Sequence, residues 1–497
     1  MGKLPNSSAR VKRPVNVAAD APEASASAAP RKGPPLAAFP GAVKWLLDRT
    51  DIERMRPTRA VADMLKLDRM HRLMALLGDP QKAVRHVHIA GTKGKGSTCE
   101  MTASCLEACG YTVGVYTSPH IMDIRERVRI NSRHISHADF ARVAQKVADA
   151  AANLPEDEQG EEPTFFELMT AMAFVYFAEE AVDAAVIEVG LGGRLDSTNV
   201  ITPEVVAITS ISLDHTQILG DTVELIAAEK AGIFKPGVPA LTIPQKPGVL
   251  EVFKDAAARI GCPLQVVGQD IDFSMRFEAS PSHGPQVRVC LTTSRNNFEH
   301  LVVPLRGEHQ ATNCGLALAI LDKLSERGFH TPEDCIARGL AAVKLPGRME
   351  LAWSSPRVIV DGAHNTDSIR CLIKAIGANI PYDSMVMIFG CAADKDIDGM
   401  LAQLALGADK VVFTKATGNA RAAEPEELAR RFNESHGKMA QVAGDVVQAF
   451  ALATRAVARE DLVVVTGSFY LVGEAKKHLA SVAAKRQAAA GMPSAGA

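Results

Sequence analysis

The chain alternates between short apolar runs and longer segments in which apolar positions recur at helical spacing. The apolar runs predict buried strands at 84–90, 112–116, 184–189 and 205–211, with helical stretches between them. Strands that alternate with helices are typical of a mainly parallel sheet covered on both faces. The sequence therefore predicts an α/β fold in which ligands bind where the strands end.

A second α/β series follows the first, with strands predicted at 358–360, 385–389, 411–414 and 462–466. Between the two series, residues 273–304 alternate apolar and polar positions as antiparallel strands do. Leu345-Pro-Gly-Arg348 then breaks the pattern, as a domain junction would. We therefore expect two folded domains.

The ends of the chain differ from the rest in composition. The pattern predicts four parts: a disordered Ala/Ser/Pro-rich extension at 1–36, a first domain at 37–342 that begins with helical residues 37–77, a smaller second domain at 343–486, and a flexible tail at 487–497. An acidic exposed loop is expected at 155–163. The head lacks the apolar core of a signal peptide. A transit peptide is the alternative, which Asp20 and Glu23 weaken.

The first strand runs directly into a glycine-rich loop, Gly91-Thr-Lys-Gly-Lys-Gly-Ser97. Glycines let backbone amides face a polyphosphate, and the helix predicted at 97–108 adds positive potential at its N-terminus. Lys95 would supply a mobile positive charge, and Ser97 a hydroxyl for a phosphate or Mg²⁺. The common P-loop pattern has a further glycine where Ile89 stands, so a tight structural turn is the alternative. With the flanking strand and helix, the loop indicates nucleotide binding.

Polar residues also follow the other predicted strands. Glu188 interrupts a buried strand, where an unpaired carboxylate is costly, so it predicts a bound metal or cation, with an internal ion pair as the alternative. His215 and, more weakly, Ser118 are candidates for the same site because they follow neighbouring strands. The alternatives are an ordinary surface or core histidine for His215 and a plain Ser-Pro turn for Ser118. In the second domain, Asp361-Gly-Ala-His-Asn365 resembles a site that faces a partner domain.

Composition and charge exclude several other classes of function. The chain has 497 residues, a net charge of -2 and 5% aromatic residues, which argues against binding to nucleic acid or an acidic membrane. No apolar run is long enough to span a membrane. The nine cysteines lack CxxC spacing, so we expect free thiols in a reducing cytoplasm.

Several strings resemble those of folylpolyglutamate synthases and dihydrofolate synthases, members of the Mur ligase superfamily. The strings are Ala90-Gly-Thr-Lys-Gly-Lys-Gly-Ser-Thr98, Thr117-Ser-Pro-His120, Thr164-Phe-Phe-Glu167, Glu188-Val-Gly-Leu-Gly-Gly-Arg-Leu-Asp196, Leu213-Asp-His215, Glu229-Lys-Ala-Gly232, Pro346-Gly-Arg348 and Asp361-Gly-Ala-His-Asn365. The resemblance spans about Phe39 to Leu479, in the family's order and spacing. It implies a P-loop ATPase domain of the Mur ligase type followed by a Rossmann-like ligase domain.

The resemblance also implies a role for each matching residue. The residues implied are Gly94, Lys95, Gly96, Ser97, Asn313, Arg348 and Asp361 for ATP; Ser118, Glu188 and His215 for Mg²⁺; Thr164, Phe165, Phe166, Glu167, Leu195, Asp196 and Ser197 for the pterin substrate; and Lys95, Lys230, Arg348 and His364 for catalysis. Lys230 matches a lysine that the family carbamylates. A monovalent cation such as K⁺ is a further candidate cofactor.

The implied activity is an ATP-dependent amide ligation. L-Glutamate would be added to a folate, to dihydropteroate or to both through an acyl phosphate, by a cytoplasmic monomer that binds no nucleic acid or membrane. Another Mur-type amino-acid ligase is the alternative, although cell-wall Mur ligases carry an extra N-terminal domain and only 90 residues precede Gly91. One departure is Lys93, where the family usually has Asn; we expect it to add positive potential near the phosphates.

Overall fold

The structure, a computed structural model, describes residues 31–55, 61, 64–154, 162–280, 284–303, 307–455, 457–458 and 460–489. Its helices are α1 (Phe39–Leu47), α2 (Leu67–Leu76), α3 (Lys95–Ala108), α4 (His137–Ala151), α5 (Phe165–Glu179), α6 (Thr216–Leu219), α7 (Val223–Ala231), α8 (Pro247–Ile260), α9 (Glu308–Glu326), α10 (Glu333–Ala342), α11 (Thr366–Asn379), α12 (Ile397–Gly407), α13 (Pro425–His436), α14 (Val446–Arg455) and α15 (Phe469–Ala489).

The strands form three sheets. They are β1 (His86–Ala90), β2 (Val113–Tyr116), β3 (Val128–Ile130), β4 (Arg133–His134), β5 (Ala184–Glu188), β6 (Val205–Ile208), β7 (Ala240–Thr242), β8 (Leu264–Val266), β9 (Asp272–Ser280), β10 (Gly284–Thr292), β11 (Asn297–Val303), β12 (Glu350–Ser354), β13 (Arg357–Val360), β14 (Met385–Phe389), β15 (Lys410–Phe413), β16 (Gln441–Val442) and β17 (Leu462–Thr466).

The first sheet has the strand order β4-β3-β2-β5-β1-β6-β7-β8. Strands β2, β5, β1, β6, β7 and β8 run parallel to one another. Strands β3 and β4 extend the sheet beyond β2 and are antiparallel. Alternate residues of β5 enter different cores: Val186 packs with α3, whereas Ala185 and Ile187 pack with α4 and α5. Burial on both faces explains why these strands are continuous apolar runs. The predicted mainly parallel α/β sheet is confirmed.

Two further sheets complete the fold. The antiparallel sheet β11-β10-β9 is formed by the segment in which apolar and polar residues were predicted to alternate, and α9 packs against this sheet. The second α/β sheet has the order β12-β13-β17-β14-β15-β16, parallel from β13 to β16. Its four central strands match the predicted ones. Both edge strands were missed because β12 is amphipathic and half-exposed and β16 has only two residues.

Several predicted boundaries need correction. The segment 37–77 is not helical throughout, because turns occupy residues 48–55 between α1 and α2. Residues 31–36 pack on α4 instead of being disordered: Gly33 N donates to Asp149 Oδ1 (2.8 Å) and Leu36 N to Gln145 Oε1 (2.6 Å). Helix α3 begins at Lys95, two residues before the predicted start.

The last part of the chain also differs, since α15 continues to Ala489 and includes three residues of the predicted tail. Residues 1–30, the loop prediction at 155–161 and the tail from 490 lie outside the described residues. The domain boundary at 342/343 stays a prediction; it falls between α10 and the Leu345-Pro-Gly-Arg348 turn.

Candidate active site

The carboxyl ends of both α/β sheets line one cavity of about 370 Å³. The loops after β1, β2, β5 and β6 form its walls from the first domain, and the loops after β13, β14 and β17 form its walls from the second. Its size is in the usual range for a small-molecule site. All the site residues predicted from the sequence except Phe165 lie along it.

The glycine loop has the geometry of a phosphate cradle. Gly94 caps α3 with φ +90°, a left-handed conformation that favours glycine. A Cβ at this position would also come within 3.0 Å of the Asn313 side chain, so α9 packs closely on the loop. The first turn of α3, which starts at Lys95, lines the cavity with Lys95, Gly96 and Ser97, and the unpaired amides of a helix N-terminus favour an anion there.

Glu188 is a buried carboxylate at the base of this loop, 5% exposed. Ser118 N donates to its Oε2 (3.2 Å), and Lys95 Nζ lies 3.8 Å from its Oε1, too far for a hydrogen bond. Burial raises the pKa of Glu188, while Lys95, the Ser118 amide and Arg348 oppose that rise. The internal ion pair considered from the sequence is thus only loosely formed.

His215 and Asp214 lie in the loop after β6, where His215 adopts φ +50° and precedes α6 as its N-cap residue. His215 Nε2 is 3.9 Å from Asp214 Oδ1. Burial lowers the pKa of His215 to about 4, with Asp214 opposing, so the imidazole is neutral at pH 7 and can bind a cation. His215 lines the same cavity as Glu188 and Ser118. Within the described ranges, no three His, Cys, Asp or Glu side chains come together as a metal-binding group.

Asp214 joins the two domains, a role that the sequence does not predict. Its carboxylate accepts a hydrogen bond from Lys395, and its Oδ2 lies 3.5 Å from His364 Nε2; both partners belong to the second domain. Burial favours a raised pKa for Asp214, but His215, His364 and Lys395 outweigh it and hold the pKa well below its usual range. His364 Nδ1 faces Gly362 O at 2.8 Å, which places its proton there.

Lys230 is buried on α7, 5% exposed, and its Nζ contacts Gly192 O at 3.5 Å. Burial lowers its pKa to about 7, and Lys95 adds to the effect. The carboxylate of Glu229, the preceding residue of α7, pairs with Arg194 (2.9 Å). Lys230 therefore has an amine that is partly neutral near pH 7.

The residues predicted to bind a pterin separate into two groups. Thr164, Phe166, Glu167, Leu195, Asp196 and Ser197 line the cavity, whereas Phe165 is fully buried in the core beneath Arg127, so its predicted contact is wrong. Phe165 therefore projects from α5 into the core, whereas Phe166 projects toward the cavity.

Two carboxylates of this region are already held by the protein. Glu167 forms a capping box with Thr164 and a two-pronged pair with the buried Arg69 (2.9 Å). Asp196 accepts from Leu191 N (2.8 Å) and Thr198 N (3.0 Å), and burial raises its pKa. The oxygens of Glu167 thus already accept hydrogen bonds from Arg69 and Thr164, so Glu167 shapes the wall of the cavity.

Arg348 and Asp361 enter the cavity from the second domain. The Arg348 guanidinium stacks on the Phe469 ring at 4.6 Å. Asp361 accepts from Met349 N and Ala363 N (both 2.8 Å), so it fixes the loop that carries Arg348. Phe469, Lys395 and Arg421, which also line the cavity, were missed. Their position after strands of the second sheet is the signal that could have found them.

Comparisons with known proteins agree with this arrangement. Residues 89–321 match the Mur ligase middle domain, and residues 347–469 match the Mur ligase glutamate ligase domain. The chain is 35% identical over 415 residues to the dihydrofolate synthase/folylpolyglutamate synthase of Bacillus subtilis, covering 83% of this chain and 94% of that protein. The Escherichia coli protein of the same description is 34% identical, covering 82% and 90%.

This chain belongs to the dihydrofolate synthase/folylpolyglutamate synthase family. Among solved structures, Mycobacterium tuberculosis folylpolyglutamate synthase complexed with ADP and AMPPCP matches with a TM-score of 0.78 and 33% identity, covering 88% of this chain and 99% of that one. E. coli FolC in complex with DHPP and ADP matches with a TM-score of 0.75 and 31% identity, covering 90% and 98%.

Membership of the dihydrofolate synthase/folylpolyglutamate synthase family makes this chain an ATP-dependent ligase of folate metabolism with small-molecule substrates. The family, fold class and ligase activity predicted from the sequence are confirmed. Among the described helices, none combines the length and apolar content needed to cross a membrane.

Proposed function

We propose that the cavity between the two domains joins L-glutamate to the carboxylate of a folate, of dihydropteroate or of both. One observation carries the assignment: the phosphate loop, the Glu188 carboxylate and the Phe166 ring line the same cavity as Arg348 and Lys395 of the second domain. A site of this kind brings a nucleotide, a carboxylate substrate and an amine together.

The reaction follows from the groups that meet there. A carboxylate oxygen of the pterin substrate attacks the γ-phosphorus of ATP, and ADP leaves. The amine of L-glutamate then attacks the acyl phosphate carbon and loses a proton, and inorganic phosphate leaves with the original carboxylate oxygen. Lys95 and the loop amides stabilise the charge on the transferred phosphoryl group, so catalysis rests on positioning and electrostatics. Arg348 and Asp361 position the nucleotide from the second domain.

Mg²⁺ fits the residues of the site. Ser118, Glu188 and His215 would hold it, because the buried Glu188 carboxylate is 3.8 Å from Lys95, too far for a hydrogen bond, and His215 is neutral at pH 7. A magnesium site with few protein ligands suits an ion that keeps waters and substrate phosphates. When bound, it supplies charge neutralisation for the phosphates. A K⁺ site stays a prediction with no observation of its own.

Lys230 is the candidate for carbamylation. Its amine is buried, partly neutral near pH 7 and free of a carboxylate partner on its own helix. Carbamylation replaces a cation with an anion, which suits a position close to Mg²⁺ ligands. The amine attacks CO₂ and releases one proton.

His364 is proposed as the general base that accepts a proton from the amine of L-glutamate. Its Nδ1 proton is directed at Gly362 O, and its Nε2 points toward Asp214 (3.5 Å). A proton lost by the L-glutamate amine could be taken at Nε2 and stabilised by that carboxylate. A monomeric state and a cytoplasmic location, expected from the sequence, stay predictions.

The test is to incubate the purified protein with ATP, Mg²⁺, labelled L-glutamate and either dihydropteroate or tetrahydrofolate. We expect labelled product and ADP in equal amounts with at least one pterin, and ¹⁸O from the pterin carboxylate in the phosphate released. ATP hydrolysis without glutamylated product from either pterin would overturn the assignment and would favour another Mur-type amino-acid ligase.

A further inference from the structure

Lys93, two residues before Lys95 in the glycine loop, reaches across the cavity to the second domain. Its Nζ donates a hydrogen bond to Asn365 Oδ1, which lies in the loop after β13. At the domain interface, Lys93 is half-buried and Asn365 is buried. Lys93 therefore links the phosphate loop directly to the second domain through a hydrogen bond.

The backbone of Lys93 is fixed within the first domain. Lys93 N donates to Ser210 O (3.4 Å), and Ser210 Oγ donates to Lys93 O (3.2 Å). The two residues form an antiparallel bridge at the end of β6. Since the main chain is held on both sides, only the side chain of Lys93 is free to respond to the position of the second domain.

The acceptor on the other side is equally well defined. Asn365 caps α11, and its Oδ1 accepts the Ser368 N–H at 3.0 Å. The cap requires the oxygen at this position, which removes the usual ambiguity between the two ends of an asparagine amide. Lys93 therefore meets an oxygen whose position is set by the start of α11.

Charged groups around the Lys93 ammonium come from both domains. Asp214 belongs to the first domain, and Asp367 and Lys395 to the second. Burial lowers the pKa of Lys93 to about 8, while the two carboxylates oppose that effect. A cation in this position attracts groups on both sides of the cavity only when the domains are close together.

We propose that Lys93 is a positioning residue that holds the phosphate loop against the loop of Asn365, through their hydrogen bond, when the two domains close over the nucleotide. This inference rests on the proposed function, because closure over ATP is what it would assist. Lys93 then differs in role from Lys95: Lys95 acts on phosphate, and Lys93 sets the distance between the domains.

A double-mutant cycle tests the contact. Lys93→Met removes the donor, Asn365→Ser keeps a residue that can cap α11 but is too short to meet Lys93, and Lys254→Met, on the exposed face of α8, is the control. We expect each single variant to lower kcat/KM about tenfold and the double variant to lower it no further, as for one shared hydrogen bond to a charged group. Lys93→Arg, which keeps a donor, should recover most of the loss.

Two readouts other than turnover separate closure from phosphate binding. The affinity for AMPPCP should fall clearly less than kcat/KM in Lys93→Met, since Lys95 and the loop amides still bind the phosphates and only the contribution of closure is lost. The radius of gyration with AMPPCP, measured by X-ray scattering, should be larger in Lys93→Met and Asn365→Ser than in the wild type and the control. Thermal melting checks that each variant is folded.

Multiplying effects in the double variant, or AMPPCP binding that weakens as much as kcat/KM, would overturn the proposal and make Lys93 a phosphate ligand. An unchanged radius of gyration in both single variants would also overturn it. Failure of the proposed function looks different: the wild type would form no glutamylated pterin, while scattering and AMPPCP binding would still report whether Lys93 and Asn365 are coupled.

Discussion

Lys95 and Lys230 line the same cavity, but their surroundings give them different chemistry. Lys95 opens α3 in the glycine loop, and its side chain keeps 17% of its surface accessible. Lys230 is buried on α7 against the Gly192 carbonyl, and its pKa falls to about 7. An accessible cation suits a mobile phosphate, whereas a buried and partly neutral amine suits reaction with CO₂.

The first prediction concerns Lys95. Lys95→Ala should lower ATP turnover about a hundredfold or more, because a positive group facing the transferred phosphoryl is lost. The melting temperature should be nearly unchanged, since the Lys95 ammonium lies 3.8 Å from Glu188, too far for a hydrogen bond. Phosphate release and a thermal melt measure the two effects. A well-folded variant with normal turnover would rule out the phosphate role.

The second prediction concerns Glu188. Glu188→Gln should weaken Mg²⁺ binding on the order of tenfold, because an anionic oxygen ligand is replaced by an amide. The sheet should remain intact, since the amide oxygen can still accept from Ser118 N. Calorimetric titration with Mg²⁺ and AMPPCP measures the affinity. Unchanged Mg²⁺ affinity and activity would favour the internal ion pair with Lys95.

The third prediction concerns pH and CO₂. Only the neutral amine of Lys230 reacts with CO₂, and its pKa is about 7, so the reactive fraction falls as pH drops below that value. After CO₂ removal at pH 6, activity should be low and should return with bicarbonate, while at pH 8 the dependence should be weaker. Lys230→Ala should be nearly inactive and partly rescued by short carboxylic acids. Full activity at pH 6 without CO₂ would contradict carbamylation.

At the scale of elements, the sequence was informative wherever burial is uniform. Strands β1, β5 and β6 are buried throughout, so their apolar runs could be found directly. Strand β12 and the start of α3 at Lys95 could not, because half-exposed strands and glycine-rich first turns have no clear pattern. Phe165 shows the same limit within a site: a matching string does not tell which side of a helix each residue faces.

The fourth prediction tests packing between elements. Helix α10 packs on α3 at Gly339, and a Cβ added to Gly339 would lie 2.5 Å from Cys105 Cα. Gly339→Ala should therefore destabilise the protein by about 1–3 kcal/mol. Gly377 of α11 is the matched control, because nothing lies within 4 Å of its Cβ position. Gly377→Ala should stabilise the protein by about 0.5–1 kcal/mol. Urea unfolding measures both, and equal effects would contradict the packing argument.

At the scale of the whole molecule, the cavity depends on contacts that cross between the domains. Asp214 meets Lys395, Lys93 meets Asn365, and the main chain of the 48–55 segment meets Arg421. The individual strings gave most of the nucleotide and metal candidates but none of these three contacts. Contacts between domains follow from the relative placement of two sheets, which local sequence patterns do not encode.

The fifth prediction concerns the third of these contacts. Arg421 pairs with Asp394 in the second domain and donates from Nη1 to Glu53 O at 2.7 Å, while the Glu53 carboxylate pairs with Arg127 of the first domain. Arg421 is 12% exposed, so the contact is shielded from solvent. Arg421→Gln should therefore weaken domain closure, lower kcat/KM about tenfold and increase the radius of gyration with AMPPCP.

Arg431→Gln is the control for that variant, because Arg431 pairs with Asp398 within the second domain and does not cross the cavity. It should leave both kcat/KM and the radius of gyration close to those of the wild type. Arg421 also lines the cavity, so a direct contact with L-glutamate is the competing explanation. That explanation predicts a raised KM for L-glutamate with an unchanged radius of gyration. Closure instead predicts a larger radius and a loss of kcat that excess L-glutamate does not restore.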